Sequence, residues 1–305
     1  MKPEPRNQTT TTADVYSRIT ERIIADLAQG VRPWLKPWSA QESGHLITRP
    51  LRYNGAPYKG VNVLLLWGAA TDKGFSSPFW MTYKQAQELG GQVRKGETGS
   101  LVVYANRFTK TETNEEGEDI EREIPFLKGY TVFNTDQIDG LPERFQSVPL
   151  PSPAPELLHQ AAESFFASTG ASFRHGGNRA FYTTAGDFIQ MPPPQAFKDP
   201  ESYAAIKAHE LIHWTGHSSR MAREFGKRFG DNAYAFEELV AELGAAFLCA
   251  DLQLTPEPRP DHAAYLASWL KVLRQDKRAI FAAAAHAQRA ADYLHGLQAS
   301  EKVAA

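Results

Sequence analysis

The chain has almost no cysteine: Cys249 stands alone among 305 residues. A single thiol excludes a disulfide framework and any zinc site built on cysteine, and it agrees with a reducing compartment. Net charge is lacking too. The 33 Lys+Arg against 35 Asp+Glu leave −2 at pH 7. No global field therefore draws the protein to nucleic acid or to a membrane, and any such attraction has to be local. Long apolar runs are missing. The longest, Val61 to Ala70, contains Asn62, Trp67 and Gly68 and falls far short of a membrane span. The opening residues MKPEPRNQTTTTADVYSR have no apolar core of a secretory signal. These absences lead to the expectation of a cytoplasmic protein with no membrane partner. What is present is ordinary: 42% hydrophobic and 22% charged residues, the composition of folded domains, at a length with room for two.

Residues 1–12 are polar and Thr-rich and read as a disordered arm. Val15, Ile19, Ile23, Ile24 and Leu27 then recur at helical spacing up to Gly30. The segment VRPWLKPWS, with two prolines and two tryptophans, cannot continue that helix. Helices are expected over 59–72 and in TYKQAQELGG. A strand begins at Phe79, and strand 101–108 pairs antiparallel with 126–134 across an acidic tip, Thr111 to Glu123. SVPLPSPAPE (147–156) reads as a stiff linker. It divides a first domain, 13–146, from a second, 157–305. The second domain shows helix 156–169, short strands over 173–182 and 187–191, and helices over 200–215, 233–252, 261–273 and 276–297. The expected fold class is α+β: a mixed α/β domain followed by a mostly helical one.

The strongest chemical signal is His209-Glu210-Leu211-Ile212-His213. On a helix, positions i and i+4 share a face, so both imidazoles can meet one metal ion. Glu210 lies beside them, placed as a general base toward water at that ion. Catalytic zinc takes three protein ligands. A third histidine at the HExxHxxGxxH spacing is absent, because Ser219 stands there and His217 comes two residues early. A glutamate from a later helix is the other source, and FEELVAELGAAFLCADL (236–252) supplies it. Glu238 is read as the third ligand, with Glu237 its competitor. Glu242, one turn on, is read as the carboxylate that orients a ligating histidine. His217, Arg220 and Tyr234 are candidates to steady an oxyanion or hold substrate. The nitrogen and oxygen ligand set suits Zn2+ best, with Mn2+ or another divalent metal as alternatives.

FYTTAGDFIQMP (181–192), AHELIHWTGHSSRMAR (208–223) and YAFEELVAELGAAFL (234–248) together resemble the zincin-type metallopeptidase domain of the ArdC antirestriction family. YKGVNVLLLW (58–67), FWMTYKQAQELGGQVRKGETGSLVVY (79–104) and VFNTDQIDGLP (132–142) resemble the single-stranded-DNA-binding domain that precedes it in that family. The similarity covers about residues 13 to 252. It implies a protein carried on conjugative plasmids that protects incoming DNA from host restriction. It also implies single-stranded DNA as a partner, and a host restriction subunit or another protein as a peptidase substrate.

The residues of the first half are compatible with single-strand binding. Residues 1–150 are balanced in charge, but the acidic tip holds 7 acids and 1 base. Without it the half carries 17 basic against 11 acidic residues. Stacking needs exposed rings and phosphate binding needs cations. The candidates are Trp34, Trp38 and Tyr58 among the rings, and Arg49, Arg52, Lys59, Arg94 and Lys95 among the cations, whereas Trp67 and Trp80 sit in apolar runs and read as core. Two other readings remain open at this point. One is a cytosolic zinc metallopeptidase whose first domain recognises a protein; the other is a DNA-binding module with a non-catalytic metal domain.

Overall fold

The computed structural model of the chain describes residues 12–35, 48–113, 119–145, 153–226, 231–255 and 262–298. Trp38, nearly all of the expected disordered arm and residues 147–152 of the expected linker lie outside them. Helix α1 (Thr12–Ala28) buries Val15, Ile19, Ile23 and Leu27 as a single apolar stripe. The N-terminal sheet runs β1-β2-β5-β4. Strand β1 (Leu51–Arg52) is parallel to β2 (Phe79–Met81), and β5 (Asp119–Asn134) is antiparallel to both β2 and β4 (Ser100–Thr113).

Helix α2 (Val61–Lys73) is buried at Val61 and at the seven consecutive positions from Val63 to Ala69. A helix apolar on most sides belongs in the middle of a structure. Its one early polar residue, Asn62, reaches the β4 backbone. The Asn62 amide donates to the Val103 carbonyl and accepts from the Val103 N–H, both at 2.8 Å, so a single side chain satisfies that stretch of strand edge. Helix α3 (Tyr83–Glu88) starts on a capping box between Thr82 and Gln85. Strand β3 (Gln92–Val93) pairs with β6 (Ile138–Asp139).

In the second half, helix α4 (Pro155–Ala167) precedes a three-stranded sheet of order β7-β9-β8. Its strands are β7 (Ser172–His175), β8 (Phe181–Thr183) and β9 (Phe188–Met191). The single strand expected over 173–182 is thus two. Gly176 and Gly177, at φ 147° and 66°, turn the chain between them in a conformation that other residues adopt at a cost. Helix α5 (Pro200–Thr215) begins with Pro200 in its first turn and with Asp199 accepting from the Ser202 N–H at 2.7 Å. Helices α6 (Asn232–Leu252), α7 (His262–Gln275) and α8 (Ala279–Gln298) complete the fold. The alanines of α8 have a packing purpose, since Ala283, Ala284, Ala287, Ala290 and Ala291 are all buried.

The halves share one core. Trp34 is fully buried and meets Trp269 of α7 edge to face at 5.6 Å. Arg49, itself buried, donates to Gln288 of α8 and to Asp251 of α6, each at 2.7 Å, and lies over the Phe247 ring. Thr20 of α1 donates to the Lys277 carbonyl at 2.7 Å. No helix among the described residues is long and apolar enough to cross a membrane.

Candidate metal centre

Helix α5 presents His209, Glu210 and His213 to helix α6, which presents Glu237, Glu238 and Glu242. The two helices can approach closely because Gly244 faces Ile212: a Cβ there would stand 2.8 Å from the Ile212 side chain. All six side chains are buried. Such a concentration of charge in the interior requires pairing or a cation.

The imidazole Nε2 atoms of His209 and His213 are 3.2 Å apart. Glu238 closes the triangle, its carboxylate oxygens 3.6 Å from His209 Nε2 and 3.5 Å from His213 Nε2. One ligand atom from each of the three lies within 4.8 Å of the others. Two imidazole nitrogens on one tetrahedral ion stand roughly 3.3 Å apart, so the residues fit a divalent cation without rearrangement. Each histidine is held from behind by its other nitrogen. His209 Nδ1 is 3.5 Å from Glu242, and His213 Nδ1 is 3.1 Å from Glu237. This carboxylate–histidine arrangement fixes the tautomer and aims Nε2 at the ion.

Glu237, the competitor for the ligand position, is therefore committed elsewhere. The Arg223 guanidinium grips it with two hydrogen bonds of 2.9 Å and also donates to Thr215 Oγ1 at 2.8 Å and to the Ile212 carbonyl at 2.6 Å. Ala222, at φ 48°, takes a left-handed turn immediately before Arg223; such strain costs on the order of 1 kcal/mol. Arg223 was not singled out from the sequence, and its clue was a cation downstream of an HExxH helix with a surplus buried glutamate to match. The N-terminal half reaches this region too. Burial lowers the Arg32 guanidinium from its ordinary value, and the nearby Glu242 carboxylate offsets that in part.

Burial alone would strip His213 of its proton, but hydrogen bonds to Glu237 and Glu238 prevail and its pKa is pushed up to about 10. Burial likewise opposes ionisation of Glu238, yet His209 and His213 hold it far below the carboxylate range. The His213 charge stabilises folding fully below the ordinary histidine value, and that contribution fades as pH rises through about 10. Ligation requires a neutral imidazole, so a cation has to displace this proton. At pH 7, binding of Zn2+ or Mn2+ is expected to release about one proton per ion. Affinity should rise with pH and level off above about 10. Calorimetry in two buffers of different ionisation enthalpy counts the proton; a buffer-independent heat contradicts the expectation.

The centre opens into a cleft of about 310 Å3 lined by Glu210, His213, Glu237, Glu238, Tyr234 and Tyr265 on the helical side and by 179–184 on the sheet side. Strand β8 is the outer strand of its sheet, and its residues line this cleft. Tyr234 of α6 lines the cleft, its hydroxyl 3.0 Å from that of Tyr265. Tyr265 was not among the sequence candidates, because its helix carried no recognisable motif. The other two oxyanion candidates sit differently. Arg220 is occupied by Asp187, at 2.9 Å, and by the Trp214 carbonyl, at 2.7 Å, and its guanidinium stacks on the Trp214 ring. It ties the end of α5 to the β8–β9 turn. His217 Nδ1 contacts Ser219 Oγ at 2.7 Å, and the residue is outside the cleft lining.

The nucleic-acid candidates separate as well. Trp34 is 0% exposed, so it offers no ring face to a base. Arg49 is spent on Asp251 and Gln288, and Tyr58 is buried. For Trp34 and Arg49, packing between the halves is the cause, whereas Tyr58 is covered from its own half, with Arg52 over its ring. Arg52, Lys59, Arg94 and Lys95 are exposed. Lys59 pairs with Asp292 at 3.0 Å, and Arg94 with Glu97 at 3.0 Å and Asp139 at 3.4 Å.

Comparison with known proteins yields matches over both halves. Residues 13–133 match the N-terminal domain of anti-restriction factor ArdC, and residues 160–286 match a zincin-like metallopeptidase family. An uncharacterised protein y4eC of Sinorhizobium fredii is 43% identical, over 94% of each chain. The DNA primase TraC of Escherichia coli is 37% identical over 92% of this chain, which spans 27% of the primase. The crystal structure of antirestriction protein ArdC from plasmid R388 in its metal-free form superposes with a TM-score of 0.79 at 48% identity, over 94% of this chain and 98% of that one. Its Mn(II)-bound form gives 0.75 at 47% identity, over 93% and 98%. The chain belongs to the ArdC antirestriction family, with an ArdC N-terminal domain followed by a zincin-like metallopeptidase domain.

Proposed function

We propose that this protein protects incoming DNA from host restriction, binding single-stranded DNA through its N-terminal half and hydrolysing a peptide bond at its metal centre. The observation that carries the enzymatic part is the convergence of His209, His213 and Glu238 beside Glu210 in one cleft. A structural site would need no such acid at its mouth. When bound, a divalent cation supplies Lewis acidity to the scissile carbonyl and acidity to the attacking water. Two imidazoles and one carboxylate suit Zn2+, and Mn2+ is the alternative; the related ArdC of plasmid R388 has a Mn(II)-bound structure.

The chain's own groups do the rest. The open edge of β8 pairs an extended peptide as an added strand, which brings a backbone carbonyl to the cleft floor. Glu210 takes the proton of the attacking water and returns it to the leaving amine. Tyr234, supported by Tyr265, donates to the developing oxyanion. The substrate is a protein of the recipient cell, a restriction subunit being the candidate that fits the biological role.

Plasmid transfer into paired recipients tests the reading. The intact protein, expressed in the incoming element, is expected to raise transfer into a restricting host and to leave transfer into its restriction-deficient sibling unchanged. Equal effects in both recipients, or none in either, would overturn it.

A further inference from the structure

Pairing in the N-terminal sheet puts a particular set of side chains on one face. Arg52 is opposite Trp80 and Trp80 opposite Asn134; Val102 is opposite Tyr130 and Tyr104 opposite Lys128. Alternation along β4 and β5 then gives Arg52, Trp80, Val132, Val102, Tyr130, Lys128 and Tyr104 a common side. Trp80, Val102 and Val132 are buried in the core. Toward the hairpin the same face opens. Tyr104 is 48% exposed, Lys128 is exposed and Tyr130 is half-buried. At the other margin Arg52 is exposed, with its guanidinium 5.4 Å over the Tyr58 ring. Burial raises the Tyr58 hydroxyl, and the charge of Tyr130 adds to the rise.

Charge is arranged to match. The first turn of α2, which begins three residues after Tyr58, carries no acidic residue, and its Gly60 cap provides no side-chain oxygen. The Gln288 side-chain oxygen accepts from the Gly60 N–H at 3.2 Å and meets part of the positive end of its dipole. The seven acids of the hairpin tip begin at Glu112, roughly 25 Å along β4 from Tyr104 at strand rise.

We propose that this face seats single-stranded DNA, with bases stacked on Tyr104 and Tyr130 and phosphates held by Lys128 on one side and Arg52 on the other. The assignment rests on the single-strand reading above and gives it a location. Rings accept any base, so binding is tolerant of sequence. Lys128 and Arg52 neutralise phosphates and make binding salt-dependent.

Fluorescence anisotropy with fluorescein-labelled oligo(dT) and the full-length chain tests the proposal. Tyr104→Ala combined with Lys128→Glu should weaken binding roughly 10- to 100-fold. Lys128→Ala should reduce the salt slope by about one. Tyr104→Phe, which keeps the ring, should bind like wild type. Tyr83→Ala, removing an exposed ring that packs on Phe133 on the other side of the sheet, should also leave affinity unchanged. The substitutions are at exposed positions, and thermal melts verify that each variant is folded. If wild type fails to bind at low salt, the single-strand reading fails and this site with it. If wild type binds and the double variant binds equally well, the strand lies elsewhere and only the location is wrong.

Discussion

Glu210→Gln is expected to abolish protection of transferred DNA while leaving the fold and the metal content of the purified protein unchanged. Glu210 is 2% exposed and lines the cleft beside His213 and Glu238. Glutamine has the same shape, so packing on α5 is retained, but the amide cannot accept and return a proton. General acid–base catalysis by a positioned side chain contributes roughly 10^2- to 10^4-fold, and hydrolysis should fall by that factor. The metal ligands are untouched, so elemental analysis should find the same stoichiometry as in wild type. Protection that survives in Glu210→Gln at matched expression would separate the biological role from hydrolysis. The metal centre would then act in folding or binding, and the N-terminal half would carry the activity.

The largest effect on stability is expected from Arg223→Met. Arg223 and Glu237 are both almost fully buried, with side-chain exposures of 3% and 4%. Burial disfavours the Glu237 carboxylate, and it remains ionised because His213 and Arg223 hydrogen-bond to it. Removing one partner of such a pair costs about 3–5 kcal/mol, and Arg223 takes with it the hydrogen bonds to Thr215 and Ile212 at the end of α5. A fall in melting temperature of order 10 °C is expected for the metal-free protein. Metal affinity should drop as well, by about 10- to 100-fold, because Glu237 no longer holds His213 in place. Adding Glu237→Gln to Arg223→Met should recover part of the stability, since an uncharged amide tolerates burial better than an unpaired carboxylate. A double variant as unstable as the single one would show that the cost arises from the helix-end hydrogen bonds instead.

The sequence revealed more of the metal centre than of the nucleic-acid face, for physical reasons. His209 and His213 are four residues apart on one helix, so local periodicity places them on one side. Glu238 and Glu242 stood out because carboxylates in an apolar helix need a partner. The roles of Glu237 and Arg223 depend on how two helices and a loop pack, and no local pattern encodes that. Similarly, Trp34 lies in a segment whose prolines suggested exposure and Arg49 was one cation among several, yet their environment is supplied by α6, α7 and α8, about 200 residues away. Tyr104 and Lys128 are neighbours only through cross-strand register. Helix positions were largely readable, because periodicity and caps act within a few residues. The two-residue strands β1, β3 and β6, the extension of β4 to Thr113 and of β5 back to Asp119, and the break at Gly176–Gly177 were not, because short β segments carry no periodicity of their own.

The common core has a consequence for inheritance. Trp34 against Trp269, and Arg49 against Asp251 and Gln288, tie residues at opposite ends of the chain. A gene fragment encoding either half alone would yield a polypeptide with a large apolar wound and an arginine or an aspartate left without its mate. A rearrangement that moves both halves together keeps this core intact. The likeness to TraC has that form: 92% of this chain aligns, across both halves, within 27% of a much longer primase.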